Sequence, residues 1–142
     1  MTEDKQDDFR LTHHARLGAV RWDRAAELWY AAVDASLIRD QEIGVSAAPD
    51  IGIAFDRAAD FLDWLPANLT QFKIVAAREA FNYDLIWNDD LEESELASRL
   101  TVQSVSIRGG RVEVWLDTGG ATTDHLLLAK LDERHKIVDM EL

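Results

Sequence analysis

Residues 83–96, YDLIWNDDLEESEL, gather Asp84, Asp89, Asp90, Glu92, Glu93 and Glu95 into one stretch without a Lys or Arg among them. Such a run can bind a hard cation, meet a basic protein, or open a helix. An EF-hand loop needs alternating oxygen ligands, a Gly at position six and a bidentate Glu at position twelve. Counted from Asn88, this stretch has Glu93 at the sixth position and Arg99 at the twelfth, so it is not a calcium loop. The helix reading goes further: Asp89 or Asp90 serves as an N-cap, and Glu92 and Glu93 in the first turn complement the helix dipole. It leaves Asp84 and Glu95 unexplained. The run therefore reads first as a helix start and second as a surface for a basic protein, with Trp87 at its apolar edge as an aromatic anchor. A magnesium site has the least support.

The other chemistry-bearing residues are histidines and one tryptophan. Asp124-His125 looks like a dyad, but neighbours in a strand point to opposite faces and cannot bond to each other without a bulge. In the expected register His125 shares the face of Leu127 and Ala129, as a partly buried histidine bonded to a backbone carbonyl. His135 lies near a hairpin turn, roughly 20 Å from His125 at about 3.3 Å per strand residue, too far to share a metal through that hairpin. His13-His14 reads as a surface pair. Trp115 falls on the polar face of its strand with Ser104, Ser106 and Glu113. It either packs under a crossing helix or loop or serves as an exposed anchor. With no cysteine, thiolate sites and disulfides are excluded. No nucleophile elbow, phosphate loop or dinucleotide fingerprint occurs, and the carboxylates are too many for any glycosidase pair to stand out. No metal or cofactor is expected.

The elements that must position these residues follow from periodicity. Residues 1–12 lack it and read as a disordered acidic tail; residues 13–142 read as one domain, the commonest size for a single core. Strands are expected at Leu17–Trp22 and Ile43–Ser46. Between them RAAELWYAAVDASL has helical propensity, with Asp23 as a possible N-cap, yet both of its faces as a strand would be apolar. FDRAADFLDWL repeats apolar residues at helical spacing, Pro66 ends or kinks that helix, and Asn68 can cap the next. LEESELASRL is a further short helix. VQSVSIRGGRVEVWLD is a hairpin about Gly109-Gly110, pairing Ile107 with Val112, Val105 with Val114 and Gln103 with Leu116. A second hairpin pairs Ala129 with Val138 and Leu127 with Met140, turning near Glu133-Arg134.

Tyr83, Asp84 and Trp87, followed by a short acidic helix and by Asp124-His125 opening a C-terminal strand, resemble a group of small bacterial domains of unknown function. Their pattern is a helix ending in Tyr-Asn-x-x-Trp and a C-terminal β-meander with a Gly/Asp-His step, here with Asp84 in place of Asn. The resemblance implies that ELWYAAV is a strand, and it implies no chemistry. Small acidic domains of this build also occur as immunity proteins beside bacterial toxins.

The expected fold is α+β, an antiparallel sheet from N- and C-terminal strands with the central helices packed on one face. A net charge of -12 disfavours nucleic acid and anionic membranes as partners. MTEDKQDD is unlike a signal peptide, so a cytoplasmic protein is expected. The function expected is a non-catalytic protein-binding module, immunity-like in character. Its partner surface is Asp84, Trp87, Asp89, Asp90, Glu92, Glu93, Glu95 and Trp115. The alternative is a hydrolase-type enzyme whose dispersed histidines and carboxylates meet only in three dimensions.

Overall fold

The computed structural model describes residues 10–46, 50–122 and 125–142. Four strands come first: β1 (Leu11–His14), β2 (Gly18–Asp23), β3 (Leu28–Ala32) and β4 (Glu42–Ser46). Two helices follow, α1 (Ile51–Asn82) and α2 (Glu93–Arg99), and then β5 (Thr101–Arg108), β6 (Arg111–Asp117), β7 (Leu127–Leu131) and β8 (Ile137–Glu141). The strands form one sheet in sequence order, antiparallel except where β4 meets β5. That parallel junction is where the chain leaves through both helices, as a parallel pair requires a crossover connection. The fold is α+β, with the helices on one face.

The register explains which face. Val20, Ala31, Ile43, Val105, Val114, Ala129 and Met140 are successive partners across the sheet, and all are buried. Onto this row α1 packs Phe55, Ala58, Phe61, Leu65, Phe72, Ala76 and Ala80. The adjacent row, Arg21, Tyr30, Gly44, Ser106, Glu113, Lys130 and Asp139, must point the other way because strand side chains alternate. Neither helix lies on that side. No helix among the described residues is long and apolar enough to cross a membrane.

Several local expectations change. Leu28–Ala32 is strand, as the resemblance implied and against helical propensity. Both of its faces are used: Ala31 joins the core row and Trp29 meets Phe55 edge-on at 6.1 Å, while Leu28 and Tyr30 stand on the other side. Tertiary cover outweighed propensity there. The expected tail ends early, because Leu11 and Thr12 pair with Arg21 and Val20 in β1; residues 1–9 lie outside the described residues. Pro66 does not divide the central helix: α1 starts at its N-cap Asp50, whose carboxylate accepts from the Ile53 N–H, and runs 32 residues through Pro66. Asn68 therefore caps nothing, and its Nδ2 donates to the Trp64 carbonyl at 2.7 Å.

The first hairpin pairs Ile107 with Val112 and Val105 with Val114 as expected, but a bulge puts Val102, not Gln103, opposite Leu116. The second is displaced: Met140 opposes Ala129, and a register shift leaves Val138 outside the ladder and 43% exposed. Ile137 and Met140 are three apart, so both can turn inward only across such a bulge. His125 precedes β7 and is exposed, rather than sharing the buried face of Leu127 and Ala129. Asp124 lies outside the described residues.

Candidate functional site

The end of α1 builds the acidic loop. Tyr83 closes the helix, Asp84 adopts the left-handed conformation (φ 56°), and two hydrogen bonds lock the turn: Asp84 N–H to the Phe81 carbonyl and Leu85 N–H to the Ala80 carbonyl, both 3.0 Å. This is the double reverse bond of a Schellman stop, with Asp84 where Gly or Asn is usual. The Trp87 indole N–H then donates to the Asp84 carbonyl at 3.2 Å. The Tyr-Asp-x-x-Trp stretch is thus a helix terminator with its own indole clasp. Farther on, Asn88 Oδ1 accepts from the Asp90 N–H at 3.0 Å, and Leu91 is buried. Partly buried Leu85 and Ile86 also pack on the core. The loop is pinned at both ends.

What it displays is charge around one large ring. Trp87 is 80% exposed, the most exposed large hydrophobic side chain among the described residues. Asp84, Asp89, Asp90, Glu92, Glu93 and Glu95 are all exposed, and among the described residues only Glu95 has an ion pair, with Arg99 at 3.4 Å. The expected capping is corrected: neither Asp89 nor Asp90 caps α2, whose N-cap position is Glu92 with no side-chain cap bond. The acidic residues of its first turn are Glu93 and Glu95, not Glu92 and Glu93.

Trp115 is not part of this surface. It alternates with the buried Val114 and Leu116, so it stands on the sheet face away from the helices, opposite Ser104 and Leu128. It is half-buried against that face, where neither helix passes over it.

Among the described residues, His14 and His135 sit in separate surroundings. His14 donates from Nε2 to Asp56 at 3.1 Å, while its Nδ1 accepts from the Arg16 and Leu17 N–H groups, which fixes the Nε2–H tautomer when the ring is neutral. His135 sits in the β7–β8 turn at φ 62° and stacks on Trp64 with ring centroids 4.8 Å apart. Burial pushes its pKa down against the opposing pull of Asp60 and Asp132, so its neutral form is favoured. A cleft of about 290 Å³ brings it beside Asp56, Arg57 and Asp60. Its ring makes no hydrogen bond to a carboxylate among the described residues, so no oriented acid–base pair forms there. Among those residues no group of three or more His, Asp or Glu side chains is placed to hold a metal ion.

No protein-family model matches the chain, and neither a curated protein nor a solved structure matches it. The site is therefore read on its own geometry. Sequence spacing had marked the acidic residues and Trp87. Spacing alone missed the helix stop at Asp84, whereas the resemblance, with its helix ending in Tyr-Asn-x-x-Trp, had implied a helix end at Tyr83-Asp84.

Proposed function

We propose that this protein is a non-catalytic cytoplasmic binding module whose acidic loop, Asp84 to Glu95 around Trp87, meets a basic protein. The observation that carries the reading is Trp87, 80% exposed yet held by its own indole hydrogen bond, in a loop whose carboxylates are almost all unpaired. An aromatic ring ordered before binding loses little freedom on docking, and interface hot spots favour tryptophan. Surrounding unpaired carboxylates steer a basic surface to it. Asp84 adds to the case. A carboxylate at the C-terminus of a long helix faces the negative end of the dipole, an arrangement unfavourable for stability and favourable for displaying charge. Neutralising a basic toxin, as immunity proteins do, is one partnership of this chemistry.

The test compares three forms of the protein as bait in cell extract: wild type, Trp87→Ala, and the fourfold variant Asp89→Asn, Asp90→Asn, Glu92→Gln, Glu93→Gln. A basic protein retained by wild type and lost by both variants is the expected result. With that partner purified, the fourfold variant should associate about tenfold more slowly at low salt, with a flatter salt dependence. Trp87→Ala should instead dissociate about thirtyfold faster, the effect of a hot spot. A partner held equally by all three proteins would remove this loop from the interface.

A further inference from the structure

The sheet face away from the helices is not flat. Gly44 on β4 and Ser104 and Ser106 on β5 form the floor of a groove of about 340 Å³, between Leu28 and Tyr30 on one side and Trp115 on the other. The register makes the valley: Tyr30, Gly44 and Ser106 are partners in one row, and Ser104 opposes Trp115 in the next. Gly44 lets the walls close in, since a Cβ there would stand 3.1 Å from Leu28 Cδ1 and 3.2 Å from Tyr30 Cε1.

Charged and neutral groups differ sharply in this groove. At its rim, Glu42 is bound by Arg21 at 2.9 Å, Asp40 accepts from Gln103 at 2.8 Å, and Arg108 lies 3.9 Å from Glu113. Of the residues lining the groove, the hydroxyls of Tyr30, Ser104 and Ser106 and the indole N–H of Trp115 have no hydrogen-bond partner among the described residues. Ser106 is the telling one. It is only 9% exposed and lines the floor, and its hydroxyl is unpaired yet open to the groove rather than sealed from water. Burial and then the carboxylates of Asp23 and Glu42 push the Tyr30 phenol up, keeping it a donor.

We propose that this groove binds one neutral polyhydroxylated ring, the chemistry of a monosaccharide unit. The charged groups sit at the rim, where Glu42 and Arg108 are ion-paired and Asp40 accepts from the Gln103 amide. The floor between the rings carries only neutral groups. Its free groups are hydroxyls that both donate and accept, which suits a ligand made of hydroxyls. The Tyr30 and Trp115 rings supply apolar surface for the C–H faces of such a ring. The volume lies near the lower end of ligand pockets, about 300 to 1,000 Å³, which is room for one ring rather than a chain. This site is independent of the acidic loop.

The test is heteronuclear NMR on the whole protein, following the Trp115 indole N–H signal, identified by its loss in Trp115→Phe. The probes are the methyl glycosides of glucose, galactose, mannose and N-acetylglucosamine, the disaccharides maltose and lactose, and uridine, each to about 50 mM, a range that reveals millimolar binding. At least one glycoside or disaccharide should move that signal saturably and leave the Trp87 indole signal in place. Tyr30→Phe and Ser106→Ala should each weaken the binding about fivefold, the effect of one lost hydrogen bond. If Ser106→Ala does not fold, Tyr30→Phe decides the matter, since it keeps the ring and removes one hydroxyl. A disaccharide binding more tightly than its glycoside identifies the ligand as the terminal unit of a glycan, and equal binding identifies it as a free sugar; both uphold the proposal. Absence of any saturable shift, a shift with uridine alone, or undiminished affinity in both variants would overturn it.

Discussion

At Asp84 one residue serves two demands that conflict. The chain needs a left-handed residue to stop a 32-residue helix, and Asp84 supplies it at φ 56°. Asparagine adopts that conformation more readily than most residues, and it would not place a negative charge against the helix's negative end. Asp84→Asn keeps the shape and the carbonyl that Trp87 clasps. It should therefore stabilise the protein by about 0.5–1 kcal/mol, measured by urea denaturation at low salt. A loss of stability would mean that the carboxylate makes a structural contact and is not held against local preference. Among the described residues, four non-glycine residues have positive φ: Glu27, Gln41, Asp84 and His135. Asp84 and His135 lie beside the surfaces of greatest chemical interest, the acidic loop and the Trp64 stack. Strain of this sort persists only where packing imposes it.

At the scale of elements, the central helix shows what local signals miss. Pro66 has no N–H for the Leu62 carbonyl, and an interior proline costs about 3 kcal/mol in a helix. The helix continues because Phe61, Leu65 and Phe72 on both sides of the break are buried against the sheet. Pro66 itself is exposed. Pro66→Ala should thus restore one hydrogen bond and raise stability by about 1–2 kcal/mol, the greater freedom of the unfolded chain offsetting the remainder. Thermal unfolding checks it, and a lower Tm would show that the proline sets a bend the sheet needs. The same comparison explains what the sequence disclosed. The α+β class, the strands flanking the helices and the Gly109-Gly110 hairpin were legible, because alternation and helical spacing are local. The continuity of α1 was not, since it depends on burial by distant strands. β3 was hidden for a related reason: its alanine-rich run favours helix until both faces are seen to be occupied. The β7–β8 register escaped because a bulge breaks the alternation by which register is read. Of the candidate site, the loop's composition was legible. The opposite orientation of Trp115 became a separate surface only once α1 was seen to cover the other face.

Over the whole molecule the charges are unevenly shared. Arginines cluster in pairs with the sheet and helix: Arg16 bridges Asp60 and Asp63 at 2.8 and 2.6 Å, and Arg39 meets Asp117 at 2.7 Å. Among the described residues, the acidic excess is left unpaired most conspicuously in the loop after α1, in a chain of net charge -12. Exposed ion pairs contribute little individually, about 0–1 kcal/mol, whereas many like charges repel over a Debye length of about 10 Å at 0.1 M salt. Repulsion should therefore outweigh the pairs, and sodium chloride added from about 0.02 to 0.5 M should raise the Tm of the wild-type protein by screening it. The fourfold neutral variant at Asp89, Asp90, Glu92 and Glu93 removes charge where no ion pair is lost. Its Tm at low salt should match or exceed that of wild type, and its gain with salt should be smaller. The two outcomes separate display from support. If neutralisation lowers the Tm at low salt, those carboxylates hold the loop or the start of α2 in place. If it leaves the fold intact while association with a basic partner slows, their charge acts outward.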